Sequence, residues 1–163
     1  MEDLKKLEQV FVVRHGSESG GDLTPVGMTE IGRLAARLLE LIPLDKSVMV
    51  LASTEAKVKQ SAAILRGVLG FNRKRINWDF QQVLESDQYD DGPAAAGKIT
   101  QCGGEKRGQV IIAVTHGWLP SGIADVFAKT FGGEVRQIHP ECGNGFMVDL
   151  KERKVLLDLF KAV

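Results

Sequence analysis

Two of the three histidines in the chain follow short apolar runs, and each is followed directly by glycine. His15 lies two residues after the run Val10–Val13, and His116 lies two residues after the run Val110–Val114. A neutral imidazole is a competent nucleophile toward phosphorus, and its ordinary pKa of about 6.5 leaves most of it unprotonated at neutral pH. The glycine lets the chain turn sharply with little bulk near a ligand. The pattern predicts phosphoryl chemistry at His15.

Phosphoryl transfer spreads negative charge over three oxygens of the transition state, so the site needs fixed hydrogen-bond donors around the phosphate. Arg14 stands beside His15 and supplies a planar fork that suits two of those oxygens. A buried guanidinium without a counter-ion is costly, so Arg14 is expected to meet an anion. His116 can supply another contact, either protonated or by donating through one nitrogen.

The elements that must position these residues can be read from the hydrophobic pattern. The runs 9–13, 48–51 and 110–114 are typical of strands buried on both faces. The runs 145–150 and 155–160 flank a charged turn and predict a hairpin late in the chain.

Helices are predicted between these strands, over 25–42, 54–69 and 120–131. The first has Thr24 as its cap and proline at its first position. The second has Ser53 or Thr54 as its cap, with Glu55 in its first turn. The segment 72–107 is rich in glycine, aspartate and alanine, and we expect loops there with one short helix.

The order of elements predicts one α/β domain over residues 1–163, a three-layer αβα sandwich with a mostly parallel central sheet and a C-terminal hairpin. In such sheets ligands bind outside the carboxyl ends of the strands. The candidate positions are therefore 14–16, 52–54 and 115–117, which contain both His-Gly pairs.

At these positions the chain resembles the histidine phosphatase superfamily, which includes the phosphoglycerate mutase-like enzymes. Arg14-His15-Gly16 resembles the Arg-His-Gly signature of that family. Four further segments match the family's motifs in the same order: Leu23–Gly27, Ser53–Ala62, Thr115–Gly117 and Asn144-Gly145. The resemblance implies that His15 becomes phosphorylated and that Arg14 and His116 line the phosphate pocket.

Two departures from the family pattern concern the other site residues. The second motif of the family brings another arginine, and the matching position here is Lys57, with Lys59 as the alternative. Lysine keeps the charge but loses the bidentate fork. Ser53 is interpreted as a helix cap that can also face the anion. Glu85 is the candidate general acid, with Asp87 behind it, although the usual neighbours of that acid are absent.

The incomplete acid motif bears on the substrate. An alkoxide leaving group needs a proton in the transition state, whereas the imidazole of phosphohistidine leaves more easily. The short chain with little inserted between the motifs resembles the phosphohistidine phosphatases. We therefore expect a metal-independent phosphatase acting on a phosphohistidine protein. The alternatives are a phosphatase of small sugar or glycerate phosphates and a catalytically weak phosphate-binding module of the same fold.

Composition excludes several other functions. Acidic and basic residues balance at 21 each, which argues against nucleic acid as a partner. Metal-ligand spacings and nucleotide-binding glycine motifs are lacking, so no cofactor is expected, and His139 is interpreted as a loop residue. Cys102 and Cys142 fit a reduced cytoplasmic protein and leave a disulfide open. The start, Met1–Lys6, is not a signal peptide, and no run suggests a membrane helix. The sequence does not predict an oligomeric state.

Overall fold

The computed structural model describes residues 7–71, 76–106, 109–133, 138–157 and 159–160, with the side chains of 104–106 excepted. The segment Met1–Lys6 lies outside the described residues. Eight strands are present in this part of the chain: β1 (Gln9–Arg14), β2 (Glu18–Ser19), β3 (Asp22–Leu23), β4 (Val48–Ala52), β5 (Ile76–Phe80), β6 (Val110–Thr115), β7 (Gly145–Asp149) and β8 (Lys154–Leu156).

Six of these strands form one twisted sheet in the order β5-β4-β6-β1-β7-β8, and β2 and β3 form a separate small hairpin. The pairs β5–β4, β4–β6 and β6–β1 are parallel, whereas β7 runs antiparallel to β1 and β8 antiparallel to β7. The sheet is therefore mostly parallel and ends in an antiparallel hairpin, as the sequence predicts. β1 lies inside the sheet, between β6 and β7.

Within the described residues, four α-helices cover the two faces of the sheet: α1 (Pro25–Leu41), α2 (Ala56–Gly70), α3 (Gly92–Lys106) and α4 (Leu119–Thr130). Along β1, Phe11 and Val13 point into a core shared with α1 and α2. Val10 and Val12 point to the opposite face and pack with α3 and α4. This alternation follows from the two-residue period of a strand. The predicted three-layer αβα fold is confirmed.

The two helices that flank the first motif begin differently. α1 begins as predicted, because the Thr24 hydroxyl oxygen accepts a hydrogen bond from the Gly27 amide at 3.0 Å. At α2 the predicted caps are wrong, since the N-cap residue is Glu55 and its side chain makes no capping hydrogen bond. Ser53 is buried at the end of β4, and the Thr54 hydroxyl donates to the Glu85 carboxylate at 2.6 Å instead.

The expectation of loops with one short helix over 72–107 is wrong in two places. β5 adds an edge strand of five residues, whose mixed apolar and polar side chains are only partly buried. α3 is a full helix of 15 residues. Its small residues are typical of loops in the sequence, but here they allow close packing of two helices. A Cβ on Gly92 would lie 2.3 Å from the Gly122 carbonyl carbon in α4.

The C-terminal hairpin is confirmed, but its second strand is shorter than predicted. β8 ends at Leu156 rather than continuing to Phe160. Beyond this strand, the Leu159 amide donates to the Gly145 carbonyl at 3.0 Å and the Leu159 side chain is buried against the α1–α2 core. Leu159 therefore serves core packing rather than continued strand pairing, whereas Leu157 and Phe160 are exposed.

Within the described residues, no helix has both the length and the apolar character that a membrane crossing requires.

The buried face of α1 can be tested with two adjacent leucines, because Leu38 is fully buried and Leu39 is 39% exposed. We expect Leu38→Ala to lower the free energy of unfolding by roughly 2–5 kcal/mol, since it removes buried methyl groups and leaves a cavity. Leu39→Ala should cost less than about 1 kcal/mol. Urea unfolding of the two variants measures the difference, and equal losses would contradict this placement of α1.

Candidate active site

The two His-Gly pairs meet at the carboxyl edge of the sheet. β1 and β6 pair in parallel register through Arg14 and Thr115, and the His15 amide donates to the Thr115 carbonyl at 3.1 Å. The centroids of the His15 and His116 rings lie 6.5 Å apart, with an angle of 46° between the rings. Both histidines are buried. Two imidazoles about one hundred residues apart in sequence therefore border the same small space.

The His15 ring has a defined tautomer. Its Nδ1 lies 2.6 Å from the Gly16 carbonyl oxygen. A carbonyl oxygen can only accept, so Nδ1 must carry the hydrogen and Nε2 keeps its lone pair. Gly16 itself is tightly held, because a Cβ there would lie 2.4 Å from the Gly27 carbonyl oxygen, and its amide donates to Ser61 Oγ at 3.1 Å.

The surroundings of His15 favour its neutral form. Burial lowers the pKa of His15, and the charges of Lys57, Arg14 and His116 lower it further, against a smaller opposing effect of the Gly16 hydrogen bond. The imidazole is therefore an unprotonated nucleophile over a wider pH range than a free histidine.

The His116 ring is fixed through its other nitrogen. Its Nε2 lies 2.8 Å from the Glu85 backbone carbonyl oxygen and 2.9 Å from Glu55 Oε1. Sequence reasoning missed the role of Glu55, because an acidic residue in a first helical turn is already explained by the helix dipole. Its position three residues beyond the end of β4 was the only available signal.

The Arg14 guanidinium is hydrogen-bonded to described residues through its terminal nitrogen Nη1 but not through Nε. One terminal nitrogen, Nη1, donates to the Pro140 carbonyl at 3.2 Å and lies 3.4 Å from His139 Nε2. Burial and then the charge of Arg14 lower the pKa of His139, so a neutral ring faces the guanidinium. Arg14 Nε is buried and has no hydrogen-bond partner in the described part of the chain. An oxyanion would satisfy this donor.

A cavity of about 360 Å³ opens beside these residues. Its lining consists of Arg14, His15, Ser17, Glu18, Lys57, Asp87, His116, Gly117 and Cys142. Four of the six predicted site residues therefore share one cavity. Another cavity of the same volume, between α4 and β8, is lined by none of the predicted site residues.

The structure distinguishes the two candidate lysines. Lys57 lines the cavity, whereas Lys59 Nζ lies 5.7 Å from the centroid of the Phe80 ring, on another side of α2. The helix geometry explains this separation, because residues two apart point in different directions.

Two predicted residues are not brought into the cavity. Among its described lining residues, neither Ser53 nor Glu85 occurs. The Ser53 side chain is buried and its hydroxyl has no hydrogen-bond partner in the described residues. The Glu85 carboxylate accepts from Thr54, and only the backbone carbonyl of Glu85 touches His116. Asp87, the second candidate for the acid, does line the cavity.

Residues of the other motifs support the loops around the cavity. Gln60 Oε1 accepts from the Leu23 amide at 2.7 Å, and Gln60 Nε2 donates to the Asp22 carboxylate at 2.9 Å. The Asn144 carbonyl accepts from the Arg14 amide at 2.9 Å. These motif residues position the backbone that carries Arg14 and His15.

The rim of the cavity carries an aromatic pair. His139 lies in a loop, as expected, and its ring stacks on Trp118 with centroids 4.0 Å apart. Trp118 is 52% exposed and directly follows Gly117 of the cavity lining.

Both cysteines are free, and in the described residues no group of three or more His, Cys, Asp or Glu side chains is arranged to hold a metal ion.

In sequence, the chain matches no protein-family model and no curated protein significantly. Its structure is similar to that of the protein histidine phosphatase SixA complexed with tungstate, with a TM-score of 0.59, 16% identity, and coverage of 90% of this chain and 92% of the other. The chain has the histidine phosphatase fold.

Enzymes that are named for other substrates have the same fold. The phosphoglycerate mutase from Bacillus anthracis matches with a TM-score of 0.63 and 10% identity, covering 98% of this chain and 93% of the other. The alpha-ribazole phosphatase from Shigella flexneri matches with a TM-score of 0.55 and 14% identity, covering 91% and 94%. At these identities the likeness concerns the histidine phosphatase fold and not a particular substrate.

The position of Lys57 predicts a difference between two neighbouring lysines. We expect Lys57→Gln to weaken the binding of inorganic phosphate by roughly tenfold, because it removes a charge from the partly buried cavity. Lys59→Gln is the matched control and should bind phosphate like the unmodified protein. Isothermal titration calorimetry measures both affinities, and an equal loss in the two variants would argue against phosphate in this cavity.

The environment of His15 predicts its titration. We expect its ring to take up a proton only below the ordinary pKa of about 6.5, since burial and nearby cations disfavour the imidazolium. As pH falls below that value, the unfolded chain binds a proton that folded His15 does not, so the folded state loses stability. NMR titration of the ring protons, assigned with His15→Ala, gives the midpoint. A midpoint above 6.5 would contradict this environment.

Proposed function

We propose that this chain is a metal-independent phosphatase that forms a phosphohistidine intermediate on His15. The observation that carries the proposal is the short hydrogen bond between His15 Nδ1 and the Gly16 carbonyl, which leaves the Nε2 lone pair free beside a cavity lined by Arg14 and Lys57. A buried imidazole with a lowered pKa is the form that attacks phosphorus.

In this proposal the phosphate lies between Arg14, Lys57 and His116. Arg14 Nε is a buried donor without a partner among the described residues, and Lys57 supplies a point charge from α2. Their positive charges stabilise the negative charge that spreads over the equatorial oxygens during transfer. His15 Nε2 forms the bond to phosphorus as the bond to the leaving group breaks, and water then releases phosphate from Nε2.

The substrate class that we favour is a phosphohistidine protein. The hypothesis of Glu85 as general acid is weakened by the position of its carboxylate on Thr54, and Asp87 is the better placed carboxylate. A phosphoramidate makes a smaller demand on such an acid than a sugar phosphate does. The fold shared with the protein histidine phosphatase SixA agrees with this choice.

Two alternatives have support of their own. Small phosphorylated metabolites are the first, because alpha-ribazole phosphatase and phosphoglycerate mutases have the same fold. A phosphate-binding module with weak catalysis is the second, because Lys57 stands where a bidentate arginine is expected. All three candidate functions use the same cavity and a phosphoryl group as the bound anion. Measured turnover of different substrates distinguishes between them.

The mechanism predicts that His15→Ala abolishes turnover. We expect hydrolysis of 4-nitrophenyl phosphate by the unmodified protein to continue in excess chelator and to disappear in the variant, since no other side chain replaces Nε2. Retained hydrolysis by pure His15→Ala would overturn the mechanism. Phosphate binding without any hydrolysis by the unmodified protein would favour the binding module.

A substrate panel completes this experiment. A phosphohistidine peptide, a sugar phosphate and a glycerate phosphate are compared by kcat/KM, with His15→Ala as the blank for each. A higher kcat/KM for the phosphohistidine peptide is expected. An equal or lower value would refute the preference for phosphohistidine while leaving the role of His15 intact.

A further inference from the structure

His116 makes contacts that go beyond holding a phosphate. Both described partners of the ring, the Glu85 carbonyl and Glu55 Oε1, approach the same nitrogen, Nε2. The Glu85 carbonyl can only accept, so Nε2 carries a hydrogen in every protonation state of the ring. The only nitrogen of His116 that can gain or lose a proton is therefore Nδ1, for which no hydrogen bond to a described residue occurs.

The state of Nδ1 decides what His116 can do in the cavity. In the neutral ring Nδ1 presents a lone pair, which repels a phosphoryl oxygen and attracts a water hydrogen. In the imidazolium Nδ1 presents a hydrogen, which a phosphoryl or leaving-group oxygen can accept. In a two-step transfer, the imidazolium can give a proton to the leaving group in the first step, and the neutral ring can accept a proton from water in the second.

Glu55 is the negative group that faces this ring directly. Its carboxylate lies 2.9 Å from Nε2, and its side chain is 39% exposed while that of His116 is 9% exposed. The other charged groups of the cavity lining are the cations Lys57 of α2 and Arg14 of β1 and the carboxylates Glu18 of β2 and Asp87 of the loop before α3. His15, directly after β1, also lines the cavity. Among these carboxylates, Glu55 is the one in direct contact with the His116 ring, so its negative charge favours a protonated ring.

Other nearby carboxylates are occupied by local contacts. Glu85 accepts from the Thr54 hydroxyl, Glu18 accepts from the Gly21 amide at 2.8 Å, and Asp87 accepts from the Gln88 side-chain amide at 2.7 Å. The Glu55 carboxylate differs, because its contact is to a histidine of the cavity. This contact is absent from the motifs that the family resemblance supplied.

We propose that Glu55 is a positioning residue that makes His116 the acid and base of the reaction. This inference rests on the proposed phosphatase activity. In the first step His15 Nε2 bonds to phosphorus and the bond to the leaving atom breaks with its electron pair. That atom, the imidazole nitrogen of phosphohistidine or the oxygen of a phosphate ester, takes the proton from His116 Nδ1. In the second step water bonds to phosphorus and gives one proton to Nδ1, and the bond from phosphorus to His15 Nε2 breaks, returning the electron pair to the imidazole.

The test compares two leaving groups in Glu55→Gln. 4-Nitrophenolate departs without a proton, whereas phenolate, with a pKa of about 10 like that of tyrosine, benefits from one. We expect kcat/KM for phenyl phosphate to fall roughly tenfold to a hundredfold, and kcat/KM for 4-nitrophenyl phosphate to fall less than about threefold. kcat/KM reports the steps up to departure of the leaving group, so slow release of phosphate does not affect the comparison.

The matched control is Glu40→Gln, which removes a surface carboxylate that pairs only with Arg37 on α1 among the described residues. Both substrates should keep their kcat/KM in this control, and thermal unfolding checks that each variant is folded. Rapid quenching of Glu55→Gln with 4-nitrophenyl phosphate should show phosphorylated His15 accumulating, because the base of the second step is impaired.

Two results would overturn the role of Glu55. Equal losses for the two substrates would mean that Glu55 supports the cavity without assisting proton transfer, and unchanged values would mean that it serves only the α2 dipole. Failure of the phosphatase proposal looks different, since the unmodified protein would then hydrolyse neither substrate, or His15→Ala would hydrolyse both.

Discussion

The parallel pairing of β1 with β6 is the constraint on which the site depends. Both strands are buried on two faces, and their register places Arg14 opposite Thr115 so that the following histidines leave the sheet side by side. A shift by one residue would turn Phe11 and Val13 toward the wrong core and separate the imidazoles. The apolar packing of the strands and the position of the polar site are therefore fixed by the same interaction.

The cavity brings two cations, Arg14 and Lys57, together with two carboxylates, Glu18 and Asp87, and leaves one cationic donor without a partner in the described residues. Arg14 and Lys57 line the cavity with two histidines, and Arg14 Nε is buried without a partner in the described residues. A buried donor without a partner costs stability, because its hydrogen bond to water is lost on folding. An anion that enters the cavity removes this cost, because it accepts a hydrogen bond from the unpartnered donor. The fold therefore preorganises the site for anion binding.

Much of this organisation could be predicted from the sequence. The β-branched runs predicted the central strands, and the strand-end rule predicted that Arg14, His15 and His116 lie at one edge of the sheet, where the structure has them. β5 was missed because an edge strand is only partly buried and lacks a continuous apolar run. α3 was missed because its glycines and alanines, which suggest a loop locally, serve close contact with α4. The contact of Glu55 with His116 depends on how α2 meets β6, which local sequence does not specify.

The packing of Gly16 against Gly27 limits how this site can diversify. The two backbones touch so closely that a methyl group on Gly16 would lie 2.4 Å from the Gly27 carbonyl oxygen, and one on Gly27 would lie 2.1 Å from the Ser17 carbonyl oxygen. Neither position can carry a side chain that discriminates among ligands. Selection for new substrates must therefore act on the loops at the rim, around Asp87, Trp118 and His139, while the floor of the cavity stays the same.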